Sequence, residues 1–375
     1  MAKEGKRWIR CDVEDQYLGE RRKESRQERK QVIARDRSKY KKTDSDKRQE
    51  SFDAEALAAE GLKRGRAISI VPQGIVVHEN GNEWMCELRG VLKKEKTQQK
   101  NLVAVGDYVW FVEKSQGEGA ISAVEPRKTI LSRADNLSRR KEQIIATNID
   151  QVLITVSVID PPLKPPLIDR YIIAARKGGM DPVVVINKVD KLDDSDNPLV
   201  LAERELYEEC LQAYAQAEIP VICVSATNFE GMDKLRAQMK DRSSVFSGQS
   251  GVGKTSLINV VTGLDMRVAE TVARTRKGSH TTTSASLIPL ELGGWCVDTP
   301  GIKSFGVWDL DIDEIQQYFV EIYKVGRECA FTDCTHSHET DCAVKRAVEA
   351  GEISFMRFMS YQALVQSVEE GHTRR

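Results

Sequence analysis

The fold of this chain is decided by residues 243–263, which read SSVFSGQSGVGKTSLINVVTG. A short apolar run leads into a turn of the pattern G-x-x-x-x-G-K-[ST], and a helix-like segment follows. Such glycines let backbone amides converge on phosphate oxygens, while a lysine adds positive charge and a hydroxyl suits Mg²⁺. The sequence therefore predicts a phosphate loop with Thr255 as magnesium ligand, formed by Gly248, Gln249, Ser250, Gly251, Val252, Gly253, Lys254, Thr255 and Ser256.

Strand-like and helix-like runs alternate around this loop from Ile144 onward, which is typical of a parallel α/β sheet. We assign residues 140–308 to this α/β domain. The strand-like runs are VLITVSVI (152–159), PVVVINK (182–188), PVICVSA (220–226), SSVFSG (243–248) and GWCVDTPG (294–301).

A base-recognition motif, NKVD, stands at the end of the second of these runs. A carboxylate at Asp190 can accept hydrogen bonds from N1–H and the exocyclic amine of guanine. Adenine does not present this pair of donors. A pocket that buries this carboxylate rejects the wrong base, because an unpaired buried acceptor is costly. The predicted guanine-binding residues are Asn187, Lys188, Val189, Asp190, Ser225 and Ala226.

A second magnesium carboxylate is predicted at Asp298, which follows the apolar run GGWCV and lies 44 residues after Lys254. The sequence DTPG continues to Gly301, whose amide would sense a γ-phosphate. Ile302 occupies the position at which Ras-like enzymes carry a water-orienting glutamine. His280, in the polar stretch GSHTTT (278–283), is the candidate substitute, and a plain surface histidine is the alternative interpretation.

The guanine motif precedes the phosphate loop here, which is a circularly permuted order. Such an order is workable because the termini of a compact α/β domain often lie close together. The segment after Gly301 then leads directly into the carboxyl-terminal region, so we expect hydrolysis to reposition that region.

Three cysteines and a histidine lie within a short segment, CAFTDCTHSHETDC (329–342). Three thiolates and one imidazole suit a closed, structural Zn²⁺ site in a segment too small for a core of its own. His338 is a competing ligand. We predict a helical zinc domain over residues 309–375 with the ligands Cys329, Cys334, His336 and Cys342.

The amino-terminal third of the chain has two parts. Residues 1–66 hold 20 Lys or Arg against 14 Asp or Glu, and we predict a disordered charged arm over residues 1–65. It is either a solvated tail or an RNA-contacting arm. Short β-rich runs over residues 66–135 predict an OB-type β-barrel, which would serve as an oligonucleotide-binding domain or as a structural spacer.

Composition excludes several classes of protein. No apolar run approaches the roughly 20 residues of a membrane span. Residues 1–10 hold no apolar stretch of signal-peptide length, so we expect a cytoplasmic protein without membrane contact. The 8 cysteines, three of them crowded into one segment, favour a metal site over a disulfide scaffold.

Taken in this order, barrel, permuted nucleotide domain and zinc module closely resemble the RsgA (YjeQ) family of ribosome-assembly GTPases. The resemblance covers about residues 66–370 and rests on NKVD, GQSGVGKTS, GSHTTT, DTPG and CAFTDCTHSHETDCAV. It implies hydrolysis of GTP to GDP and phosphate, stimulated by the small (30S) ribosomal subunit, in late maturation of that subunit. It also implies contact of barrel and zinc module with 16S rRNA, and catalysis by His280 with Mg²⁺.

The chain departs from the family pattern in two respects. It has GKTS where GKSS is common, and its amino-terminal arm is long. We expect a monomer. Two other classes of function stay open. One is a nucleic-acid-binding module whose nucleotide domain is structural or weakly active, and the other is an ATP-using phosphotransferase, against which Asp190 argues.

Overall fold

The computed structural model describes residues 52–89, 102–135, 138–193, 197–263, 285–298 and 312–373. Chain contacts divide the protein into two units, Met1–Phe52 and Asp53–Arg375, and the described helices and strands belong to the second. Most of the predicted arm, His280 and Gly301 lie outside the described residues. The first described element is a short helix, α1 (Ala54–Ala59).

Five strands after this helix form a closed barrel in the order β1-β2-β3-β5-β4, with β4 returning to β1. Glycine at position 119 leaves room inside the barrel for the Phe111 ring, because the Cβ atom of any other residue there would lie only 2.7 Å from that ring. Closure leaves no free strand edge, and the predicted OB-type barrel is confirmed. Its strands are β1 (Lys63–Val71), β2 (Gly74–Glu79), β3 (Asn82–Leu88), β4 (Tyr108–Ser115) and β5 (Glu118–Val124).

The first strand begins at Lys63, inside the segment that its charges assigned to the arm. Lys63 and Arg64 project from the barrel surface, where their side chains pair with Glu113 at 2.7 Å and Glu125 at 2.6 Å. In sequence, charged residues that point outward from a strand resemble a solvated tail. This is why the predicted arm extended to residue 65, although β1 begins at Lys63.

Two further strands link the barrel to the α/β domain. Strands β6 (Ile130–Asp135) and β7 (Ser138–Thr147) pair with each other in a separate two-stranded sheet. The barrel strands therefore end at Val124, although the predicted barrel domain extended to residue 135.

The α/β domain contains a sheet in the order β10-β9-β8-β11-β13-β12, parallel from β10 to β13, with β12 antiparallel to β13. All seven residues of β8 are buried, as expected for a parallel sheet covered on both faces. Its elements are β8 (Gln151–Ser157), α2 (Pro165–Lys177), β9 (Asp181–Asn187), α3 (Pro198–Gln216), β10 (Val221–Cys223), α4 (Met232–Met239), β11 (Ser243–Ser247), α5 (Lys254–Thr262), β12 (Ser286–Pro289) and β13 (Trp295–Asp298).

Barrel and α/β domain share one 11-stranded sheet, because β1 pairs with β12 at Ser69 and Ser286. The buried guanidinium of Arg66 crosses this junction. It donates to the Ser243 hydroxyl at 2.8 Å and to the Asn148 carbonyl at 2.7 Å. The barrel is thus hydrogen-bonded to the first residue of β11, the strand that carries the phosphate loop.

Four described helices belong to the carboxyl-terminal domain and pack around a core that includes Ile315, Phe319, Ile322 and Tyr361. The last helix packs against α2 of the α/β domain. The helices are α6 (Ile312–Tyr318), α7 (Val320–Gly326), α8 (Ala343–Glu349) and α9 (Phe355–Thr373). Among the described residues, no helix combines the length and apolar character needed to cross a bilayer.

Arg357 of α9 holds this domain on the α/β domain. Arg357 is 1% exposed, and its guanidinium pairs with Asp169 of α2, which is fully buried. It also donates to Glu321 of α7 at 2.7 Å and lies 4.3 Å from the Phe319 ring centroid. Removal of one partner of a buried ion pair leaves the other charge uncompensated in the interior.

We therefore expect the substitution Arg357→Met to lower the free energy of unfolding of the carboxyl-terminal domain by about 3–5 kcal/mol. The measurement is urea denaturation followed by circular dichroism. The control is Arg346→Met, which removes an exposed ion pair with Asp341 and should cost less than about 1 kcal/mol. Equal losses in the two variants would contradict the role given to Arg357.

Candidate functional site

The phosphate loop runs from the end of β11 to the start of α5, and three of its glycines have positive φ. A side chain at Gly248 would begin 2.0 Å from the Thr155 carbonyl oxygen, and one at Gly253 would begin 2.3 Å from the Asn187 amide nitrogen. Glycine is therefore required at both positions for space as well as conformation. The loop ends at the amino terminus of a helix, where backbone N–H groups favour an anion.

The Lys254 ammonium lies across this loop. It donates to the carbonyl oxygens of Gly248 and Gln249, at 2.7 and 2.6 Å. Burial lowers the pKa of Lys254 from its ordinary value. Neutral carbonyl partners leave its positive charge uncompensated inside the loop, which suits a phosphate group. The hydroxyl-bearing side chains of Thr255 and Ser256, in the first turn of α5, are exposed.

The Asn187 side chain, at the end of β9, joins three loops. Its amide donates to the Val252 carbonyl of the phosphate loop at 2.8 Å, and its oxygen accepts from the Ala226 N–H at 3.3 Å. These partners are 65 and 39 residues away along the chain. One buried carboxamide thus brings the predicted base-recognition residues and the predicted phosphate-binding residues into one site.

Asp190 lies in a short 3-10 helix, Val189–Leu192, directly after β9. Its Oδ1 atom is buried and has no hydrogen-bond partner among the described residues. A buried carboxylate oxygen of this kind is costly unless a ligand supplies a donor. This is the arrangement that guanine N1–H and amine groups would satisfy.

Lys188 precedes this helix with φ of 64°, and its ammonium donates to the Asp160 carbonyl. Burial, and then the charge of Lys191, lower the pKa of Lys188 from its ordinary value. The loop after β8 that holds Asp160 also reaches the phosphate loop, since a side chain at Gly251 would lie 3.6 Å from Pro161. Sequence reasoning missed this loop, because only its doubled prolines mark it in the sequence.

The loop after β10 contains the buried residue Ser225. Its hydroxyl accepts from the N–H groups of Thr227 and Asn228, at 3.2 and 3.3 Å. These bonds fix the backbone around Ala226, one of the predicted guanine-binding residues. At the tip of the loop, Phe229 is 62% exposed with φ of 65°, an uncommon conformation for a bulky side chain.

Asp298 is the last residue of β13, which pairs with β11. Parallel neighbouring strands end at the same edge of a sheet, so Asp298 and the phosphate loop leave the sheet on one side. Gly301, His280 and the rest of the GSHTTT stretch lie outside the described residues.

The four predicted zinc ligands meet in the carboxyl-terminal domain, with their ligand atoms all within 4.8 Å of one another. The Sγ atoms of Cys329 and Cys342 are 3.8 Å apart, and His336 Nδ1 lies 3.6 Å from the first and 3.2 Å from the second. Two sulfurs bound to one tetrahedral Zn²⁺ at about 2.3 Å are separated by about 3.8 Å, so the donor set fits this metal.

The protonation chemistry of this cluster also suits a metal. His336 is fully buried, and burial lowers the pKa of its imidazole, which favours the neutral, metal-binding form. Burial raises the pKa of Cys334 to about 12, so loading with a cation releases protons. His338, the competing ligand of the sequence analysis, is exposed and lies outside the cluster.

Comparison with known proteins gives the family. The model of the RsgA GTPase family matches residues 124–308. A small ribosomal subunit biogenesis GTPase RsgA of Chlorobaculum parvum is 41% identical over 279 residues, which are 72% of this chain and 86% of that protein. A relative with the same name from Bacteroides fragilis is 38% identical over 298 residues, covering 79% of this chain and 94% of the relative.

The chain belongs to the RsgA GTPase family.

Solved structures agree with this. The crystal structure of YjeQ from Thermotoga maritima matches with a TM-score of 0.65 and 30% identity over 82% of this chain and 98% of that one. YloQ, described as a circularly permuted GTPase, matches with a TM-score of 0.65 and 24% identity, which supports the fold. The chain is a GTP-hydrolysing enzyme with a circularly permuted domain, as the sequence predicted.

The contact between Gly253 and Asn187 leads to a test of the site. We expect Gly253→Ala to weaken GDP binding by about tenfold or more, because the new methyl group displaces the Asn187 carboxamide and the residue resists φ of 95°. Fluorescent GDP titration measures this effect. The control is Gly263→Ala at the other end of α5, where φ is 68° and the space is open. Unchanged GDP affinity in Gly253→Ala would contradict the bridging role of Asn187.

Proposed function

We propose that this enzyme hydrolyses GTP to GDP and phosphate under stimulation by the small (30S) ribosomal subunit, and that it acts in late assembly of that subunit. The observation that carries the nucleotide choice is the unpartnered, buried Asp190 oxygen beside Asn187, which is tied to the phosphate loop. The names of the relatives in Chlorobaculum and Bacteroides support the ribosomal role.

The proposed division of labour follows the loops of the site. Gly248 to Ser256 hold the phosphates, and Asn187 to Asp190 with Ser225 and Ala226 select guanine. Thr255 and Asp298 would hold Mg²⁺, which when bound neutralises charge on the phosphate oxygens. Gly301 would respond to the γ-phosphate through its amide.

Activation of the attacking water is assigned to His280. The Ile302 side chain has no polar atom with which to orient water, whereas an imidazole can accept a hydrogen bond from a water molecule. We propose that contact with the small subunit brings His280 into place, so that turnover without the partner is slow.

The cluster of Cys329, Cys334, His336 and Cys342 is proposed to hold one structural Zn²⁺. Four strong ligands leave no open position for catalysis, and the loop that carries them has little core of its own. Partners are proposed to be the 30S subunit with its 16S rRNA, GTP and GDP, and the protein is proposed to work as a cytoplasmic monomer without membrane contact.

Steady-state turnover with and without purified small subunits tests the ribosomal role. We expect the subunits to raise kcat by an order of magnitude or more, because they complete the catalytic arrangement. His280→Ala should lower the stimulated kcat by about 10²-fold while GTP affinity stays unchanged. His338→Ala is the control. An enzyme indifferent to subunits, yet binding RNA tightly, would favour the nucleic-acid-binding alternative.

The base preference can be tested by exchange of the carboxylate. In Asp190→Asn the amide can donate to the 2-carbonyl of xanthine, so we expect preference to shift from GDP towards xanthosine diphosphate by roughly 10²-fold. Competition against fluorescent GDP measures the shift. A variant that still prefers GDP would remove Asp190 from base recognition.

A further inference from the structure

The zinc-site histidine has a second ring nitrogen that points away from the cysteines. His336 Nδ1 faces the sulfurs of Cys329 and Cys342, while Nε2 lies 2.8 Å from the terminal carboxamide nitrogen atom of Gln316. Gln316 belongs to α6, and its contact with the imidazole joins residues 20 positions apart. Sequence reasoning gave Gln316 no role.

The space around this contact is closely fitted. A side chain at Gly326, the last residue of α7, would begin 2.5 Å from the Gln316 carboxamide and 3.1 Å from His336 Nε2. The Tyr361 ring lies 5.9 Å from the imidazole on another side. The ring of His336 is therefore fixed between α6, α7 and α9, with Gln316 as its polar neighbour at Nε2.

The chemistry of the imidazole sets the orientation of the carboxamide. When Nδ1 binds a metal, the proton resides on Nε2, which must then donate a hydrogen bond. An amide can accept only through its oxygen, so metal loading requires Gln316 to present Oε1 to Nε2. Outer partners of this kind hold the ring in place and raise its basicity as a ligand.

We propose that Gln316 is a positioning residue of the zinc site, which accepts the Nε2–H bond of His336 and thereby raises zinc affinity. The inference rests on the proposed zinc site. It also places α6, which begins 11 residues after Gly301, in contact with the metal centre. Zinc loading would then stabilise α6, the first described helix after the predicted γ-phosphate sensor.

The test is zinc affinity of the full-length protein, measured by competition with a chromogenic chelator. We expect Gln316→Ala to weaken zinc binding about 10- to 100-fold, as loss of an outer-shell partner typically does. Gln316→Glu should retain wild-type affinity, because a carboxylate also accepts from Nε2–H. Gln317→Ala is the matched control, since its side chain is exposed on the same helix.

Four results would overturn the proposal. One is a zinc affinity of Gln316→Ala equal to that of Gln317→Ala. Another is a loss of zinc affinity in Gln316→Ala that Gln316→Glu does not restore, which would indicate a packing role. A lowered urea midpoint of zinc-saturated Gln316→Ala with unchanged zinc affinity would also indicate a packing role. Absence of zinc from the wild-type protein would remove the proposed zinc site itself, and the role of Gln316 with it.

Discussion

The site depends on one buried carboxamide. Asn187 donates to the Val252 carbonyl and accepts from the Ala226 amide, and so it links the three loops that follow β9, β10 and β11. The chain reaches these loops in permuted order, with base recognition first and phosphate binding last. Because hydrogen bonds and strand neighbours act in space, the order of the motifs along the chain does not alter the site.

The two flanking domains are attached to this site in different ways. The barrel extends the sheet itself: Ser69 of β1 pairs with Ser286 of β12, which in turn pairs with Asp298 of β13. A barrel strand therefore lies two strands away from the predicted magnesium carboxylate. The carboxyl-terminal domain is held through side chains instead, by the buried pair of Arg357 and Asp169. The sequence suggested that hydrolysis repositions this domain, and any such movement on α2 must break that pair.

Local patterns predicted the parts of the fold that short segments determine. The barrel followed from alternating runs with turn residues, and the phosphate loop, guanine motif and zinc ligands followed from fixed spacings between chemically suitable residues. Each of these signals is contained within a few tens of residues. The family and its GTP-hydrolysing activity followed from their order.

The parts that sequence reasoning missed depend on partners far apart in the chain. Arg66 meets Ser243 across 177 positions, and Arg357 meets Asp169 across 188. In the sequence these arginines resemble any solvated charge, and Lys63 was assigned to the arm for the same reason. Gln316 carries no spacing signal, because its role arises only when two helices bring it to His336. Pairing of this kind becomes visible only in the folded chain.

Guanine selection by the Asp190 pocket is tested by the relative affinity of the wild-type enzyme for GDP, IDP and ADP, measured by competition against fluorescent GDP. Inosine lacks the exocyclic amine, so loss of one hydrogen bond to the Asp190 carboxylate should weaken IDP by about tenfold or more. ADP does not present the N1–H and exocyclic amine pair of guanine, so it should bind roughly 10⁴-fold more weakly than GDP. ADP binding within tenfold of GDP would contradict the assignment of this pocket to guanine.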